Sequence, residues 1–217
     1  PDEKINAFIP VNEFDDKHYL TLATKQGVVK KTNLIEYSNP RATGIIAVNL
    51  DENDELINAE LTDGARDIIL ATKNGHAVRF NEEDARAVGR TSRGVRGINL
   101  RDSDEVISMV VASDEKFLLT ITENGFGKRS SAYEYRITNR GGSGITNIIT
   151  SKRNGNVVAS FPVEGNDQIM IITDKGTLIR TELGSVRISG RNTQGVTLIE
   201  AKDELVVSVA RIAHTGN

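Results

Sequence analysis

Cations recur in this chain at fixed distances from glycine. Gly27, Gly75, Gly125 and Gly176 lie 48, 50 and 51 residues apart, and the residue four beyond each is Lys31, Arg79, Arg129 or Arg180. Lys30 and Lys128 stand directly before two of these. A second series, Gly44, Gly94, Gly144 and Gly195, is spaced by 50, 50 and 51 residues. Arg41 precedes the first of them by three residues, and Arg90, Arg140 and Arg191 precede the others by four, with Arg93 next to Gly94. Lysine and arginine returning at a constant interval suit the phosphates of a long, regular polyanion, and such contacts give affinity without base readout through counterion release. The expected phosphate contacts are Lys30, Lys31, Arg79, Lys128, Arg129 and Arg180, together with Arg41, Arg90, Arg93, Arg140 and Arg191.

Net charge is −3 and the pI about 5.7, which by themselves argue against a nucleic-acid partner. Position within the repeat reverses that inference. The windows 25–44, 73–97, 123–144 and 174–195 hold 18 of the 27 Lys+Arg and 8 of the 30 Asp+Glu, so they carry +10 while the remainder carries 9 − 22 = −13. A basic surface on an acidic body is therefore expected. Aromatic residues make up 5% of the chain and tryptophan is absent, so the stacking platforms of single-strand binders are lacking and duplex is the expected ligand.

Other chemistries find little support. The three histidines, His18, His76 and His214, fall at unrelated phases with no metal-ligand spacing, and are expected at the surface. Gly125-Phe126-Gly127-Lys128-Arg129-Ser130 lacks the spacing of a phosphate-binding P-loop. The carboxylate pairs Asp15-Asp16, Asp51-Glu52 and Glu82-Glu83 fall in turns, where solvation is expected, and give no convergent acids for a glycosidase. There is no cysteine, hence no disulfide or thiolate metal site, and no cofactor is expected. Apolar runs are too short to span a bilayer as a helix and no leader is evident, so a soluble, cytoplasmic protein without membrane contact is expected.

The elements that must position these cations read as β-hairpins. Tyr19–Thr24 turns at Gly27 into 28–32, and 68–72, 117–121 and 169–173 turn at Gly75, Gly125 and Gly176. Each hairpin is followed by a polar connector with Arg41, with Arg86, Arg90 and Arg93, with Arg136 and Arg140, or with Arg187 and Arg191, and one helical turn near 81–87 is possible there. A third strand then starts at the second glycine, as in 44–48 and 144–149, and a fourth follows an acidic turn. Four short strands per period of about 50 residues is the pattern of propeller blades. The expected fold is all-β, a single propeller-like domain of four to five blades over 1–217: a last strand of a truncated blade at 5–11, then blades at 17–61, 66–111, 116–163 and 167–212.

Several stretches resemble the C-terminal domain of the bacterial DNA gyrase A subunit: Ile5-Asn6-Ala7-Phe8-Ile9-Pro10-Val11, 23–32, 124–129, 168–180, and above all Gly190-Arg191-Asn192-Thr193-Gln194-Gly195-Val196. The resemblance covers essentially the whole chain. It implies a β-pinwheel whose blades exchange strands and whose basic rim wraps duplex DNA, supporting ATP-dependent negative supercoiling by a type IIA topoisomerase. It also implies partners, the B subunit and the rest of the A subunit in an A2B2 holoenzyme, and a place at the bacterial nucleoid. The Q-R-R-G-G-K-G box of that family is absent, with only a weak echo in Arg140-Gly141-Gly142-Ser143-Gly144. The tyrosine-bearing cleavage domain and the ATPase are absent too, so the domain is expected to be non-catalytic by itself. The related C-terminal domain of the topoisomerase IV A subunit shares the blades and is the alternative. A propeller that binds proteins through its top face, with salt-resistant binding, is the rival from another class.

Overall fold

The structure, a computed structural model, describes residues 5–101, 103–112, 116–201 and 203–214. In chain order the strands are β1 (Tyr19–Thr24), β2 (Val28–Asn33), β3 (Leu56–Thr62), β4 (Asp67–Thr72), β5 (His76–Asn81), β6 (Val95–Arg96), β7 (Val106–Ala112), β8 (Phe117–Thr122), β9 (Phe126–Ser131), β10 (Ile145–Thr146), β11 (Val157–Val163), β12 (Gln168–Thr173), β13 (Leu178–Glu182), β14 (Val196–Thr197) and β15 (Val206–Ile212). Short 3-10 turns at Leu34–Tyr37, Glu82–Asp84, Ala132–Glu134 and Leu183–Ser185 follow the four hairpins.

Every described pairing is antiparallel apart from isolated bridges, and the sheets follow one rule. A hairpin takes its own repeat's last strand on one side and a two-residue strand from the following repeat on the other. The sheets are thus β3-β1-β2-β6, β7-β4-β5-β10 and β11-β8-β9-β14. The fourth, β13-β12-β15, has three strands, and among the described residues the outer edge of β13 is unpaired. The expected third strands are therefore present but short, and they serve the preceding hairpin rather than their own. In the first repeat, 44–48 forms no strand. Neither does 5–11, where the sequence suggested the end of an earlier blade; its apolar residues line a cleft with Leu20, Leu22 and Leu56, and Asn6 Nδ2 donates to the Leu56 carbonyl at 2.8 Å.

Glycine is required at the hairpin turns for two reasons. The backbone takes φ +83, +87, +79 and +84 at Gly27, Gly75, Gly125 and Gly176, a region open to glycine and costly for others. In addition the following repeat crosses close overhead: a Cβ at Gly125 would meet the Ile199 carbonyl oxygen at 2.5 Å. At Gly176 it would meet nothing within 4 Å.

The chain divides into two compact units, Pro1–Leu70 with Val78–Ser113 and Ile137–Gly144, and Ala71–Ala77 with Asp114–Arg136 and Ile145–Asn217. Each has its own core. In the first, Val29, Ile68, Leu70, Phe80, Ile98, Val106 and Met109 pack together; in the second, Leu119, Ile121, Val163, Ile169, Ile171, Leu183, Ile199 and Val206 do. Burying one such side chain is worth roughly 1.5–3 kcal/mol, so these clusters hold the sheets.

Candidate nucleic-acid interface

The connectors after the second, third and fourth 3-10 turns are laid along the second strand of the preceding hairpin, and this governs where the cations go. Isolated parallel bridges join Lys31 to Ala87, Arg79 to Ile137 and Arg129 to Ile188. The amides of Val88, Thr138 and Ser189 donate to the carbonyls of Lys31, Arg79 and Arg129 at 2.9, 2.8 and 2.9 Å. Four residues expected on a phosphate-binding surface are consequently inside: Lys30 (1% exposed), Lys31 (6%), Lys128 (0%) and Arg129 (6%).

Their hydrogen bonds are spent within the protein. Lys30 donates to the carbonyls of Ala47 and Arg90. Lys128 donates to Ser130 Oγ at 2.8 Å and to the carbonyls of Gly190 and Arg191 at 2.8 and 3.1 Å. Arg129 Nε donates to the Val186 carbonyl at 2.9 Å while its guanidinium lies 5.2 Å from the centre of the Phe117 ring. Lys31 donates to the Glu82 carbonyl at 2.8 Å and stands 3.9 Å from the Glu82 carboxylate. Glu82 itself is 1% exposed, not solvated as its turn position suggested; Thr62 Oγ1 and the Arg66 amide donate to its carboxylate at 2.6 and 2.8 Å. Burial pushes the Lys30 and Lys128 ammonium groups down to about 8, against the opposing pull of Glu36 and Glu134, and it also lowers Lys31 and Arg129.

The remaining expected residues are nearer the surface. Arg79 is half-buried and bridges to Asp67 through Nε and a terminal nitrogen at 2.9 and 2.7 Å. Arg90, Arg140 and Arg191 are half-buried and share a geometry: each donates through a terminal nitrogen to a carbonyl two residues past the preceding repeat's second glycine, Ile46, Arg96 and Thr146, at 2.7, 3.0 and 2.7 Å. Arg41, Arg93 and Arg180 are exposed, Arg93 pairing with Asp51 and Arg180 with the Gln168 side chain.

A further arginine series belongs with these. Arg86, Arg136 and Arg187 lie 50 and 51 residues apart, each eleven residues past its turn glycine, and all three are exposed. Each follows a buried residue, Ala85, Tyr135 or Val186, that anchors the end of the 3-10 turn, and each flanks the bridge to the preceding strand. Among the described residues none pairs with a carboxylate. The sequence places these arginines in the connectors but does not by charge pattern single them out as contacts, although their common distance from the glycine is a signal that could have done so. Among the described residues no group of three or more His, Cys, Asp or Glu could hold a metal ion, and no helix is long and apolar enough to cross a membrane.

A family model described as DNA gyrase C-terminal domain, beta-propeller, matches residues 18–63, 66–113, 116–164 and 167–213, one repeat in each segment. The chain belongs to this family. Among similar curated proteins, the DNA gyrase A subunit of Buchnera aphidicola subsp. Acyrthosiphon pisum is 56% identical over 98% of the chain and 26% of its own length. That of Salmonella typhimurium is 47% identical over 97% of the chain and 24% of its length. The chain thus spans about a quarter of the relatives it matches. Among solved structures, the C-terminal domain of DNA topoisomerase IV superposes with a TM-score of 0.92 at 28% identity, covering 98% of this chain and 67% of that one. The DNA gyrase A C-terminal domain gives 0.84 at 27% identity, covering 93% and 68%. The all-β architecture expected from the repeats is that of a gyrase-type propeller, and the strand exchange implied by the resemblance is present in three of its sheets.

Proposed function

We propose that this chain binds duplex DNA without sequence preference, bending and wrapping it as the C-terminal domain of a DNA gyrase A subunit, without a reaction of its own. The observation that carries this reading is the exposed series Arg86, Arg136 and Arg187, presented at one phase by successive repeats. Arg41, Arg93 and Arg180 add exposed charge, and the half-buried Arg79, Arg90, Arg140 and Arg191 add fixed positive potential. The buried Lys30, Lys31, Lys128 and Arg129 act through the scaffold. Bending a site of 20–30 bp costs of order 1–6 kcal/mol, which several phosphate contacts per repeat offset. In the longer protein the domain supports ATP-dependent negative supercoiling together with the B subunit and the rest of the A subunit in an A2B2 assembly. The high TM-score with the topoisomerase IV domain favours, as second reading, the same role in that relative.

Relaxed circular DNA incubated with the protein and relaxed again by another topoisomerase should retain trapped supercoils. In a salt titration Arg187→Glu should weaken binding to all sequences alike and lower the slope of log K against log salt by about one. An unshifted topoisomer distribution together with an unchanged slope would overturn the reading.

A further inference from the structure

Lys30 and Lys128 are the centres of one arrangement that occurs twice. Around Lys30 stand Glu36, Tyr37 and Arg90; around Lys128 stand Glu134, Tyr135 and Arg191. In each, a Gly-Arg turn of the connector is gripped at three points. The ammonium takes the carbonyl of the arginine, at Arg90 or Arg191. The glutamate carboxylate takes the same arginine's amide, Arg90 N–H to Glu36 at 3.0 Å and Arg191 N–H to Glu134 at 3.1 Å. The guanidinium reaches the carbonyl of Ile46 or Thr146, 2.7 Å away in both.

The fold does not require this arrangement. On β5, the other second strand that a connector crosses, the same phase carries Val78 and the residue matching Tyr37 and Tyr135 is Ala85, both buried, so apolar packing serves there. An ammonium taken out of water without a carboxylate partner is costly, and among the described residues neither lysine forms an ion pair. A costly group that the same scaffold omits elsewhere is explained by what it holds, and what it holds is the backbone of a surface turn: Gly89 and Gly190 are both exposed, as are Thr91, Asn192 and the neighbouring Arg93.

We propose that Lys30 and Lys128 are positioning residues that keep the Gly89-Arg90 and Gly190-Arg191 turns ordered in the free protein, so that these turns meet the DNA backbone without first being fixed. This rests on the DNA-binding reading.

The test is amide hydrogen exchange on the free protein, with duplex affinity measured alongside. In Lys128→Met, amides at 189–193 should exchange about tenfold faster or more while β8 and β12 keep their protection. Affinity for duplex should fall about three- to tenfold with the salt slope unchanged, because the ammonium itself touches no phosphate. Should Lys128→Met fail to fold, Glu134→Ala, at an exposed side chain, should loosen the same turn. Unchanged protection at 189–193 overturns the proposal, as does a slope lowered by about one, which would mean direct phosphate contact. A loosened turn with full affinity also overturns it when Arg187→Glu does weaken binding. If Arg187→Glu is silent as well, the DNA-binding reading is what fails.

Discussion

The β8–β9 and β12–β13 hairpins share a glycine turn and an arginine at the same position, yet they treat it in opposite ways. Arg129 on β9 is closed in, its guanidinium bound to the Val186 carbonyl and set against Phe117. Arg180 on β13 is exposed, its Nε donating to the Gln168 side chain. The difference is the cover. Residues 184–189 lie along β9, and β14 pairs with its edge; no described segment lies on β13 in that way. Where the next connector crosses this phase the cation is closed in and tied to that connector, as Lys31 and Arg129 are, or half-buried and paired with Asp67, as Arg79 is; where none crosses it, it is a surface charge. Recurrence of a residue type therefore does not carry recurrence of its role.

Breaking a covered tie should have the largest consequence. Lys31→Met leaves the Glu82 carboxylate buried without its cation and should destabilise the fold by about 3–4 kcal/mol in urea unfolding. Arg180→Met, at the open counterpart, should change stability by less than about 0.5 kcal/mol. Equal effects would remove the distinction.

The pH dependence of Lys128 sharpens the same contrast. Its folded-state pKa, about 8, lies below the ordinary 10.5 of an unfolded lysine. Between those values the unfolded chain holds a proton that the native protein has released, so native stability rises with pH through this window. Relative to Lys128→Met, the protein with lysine should gain up to about 3 kcal/mol between pH 7 and pH 10.5. Parallel stability curves for the two proteins would contradict the buried-ammonium account.

The smallest effect separates the two turns. Alanine at either Gly125 or Gly176 meets a positive φ and should cost about 1 kcal/mol. At Gly125 the collision with Ile199 should add about another 1–2 kcal/mol, so Gly125→Ala should melt well below Gly176→Ala.

Much of the fold was legible because it depends on local chemistry. Positive-φ glycines between β-branched runs name the hairpins, and a constant period names the repeated module. The third strand was legible as a segment and not as a partner, because pairing between Val95-Arg96 and Val28-Val29 joins residues of different repeats that no local pattern connects. The site was legible in part. Charge pattern marks the cation-bearing phases, but it points Lys30, Lys31, Lys128 and Arg129 outward, where the structure buries them, and it does not distinguish Arg86, Arg136 and Arg187.

By itself, then, the sequence determines the module, its turns and the segregation of positive charge, since each follows from the conformational preferences and ionisation of neighbouring residues. Which cations face solvent was decided only by the tertiary structure. Exposure is a property of what lies across a residue, and here that is a turn and connector of the next repeat, 51 to 62 residues further along the chain, whose carbonyls take up the donors a phosphate would otherwise need.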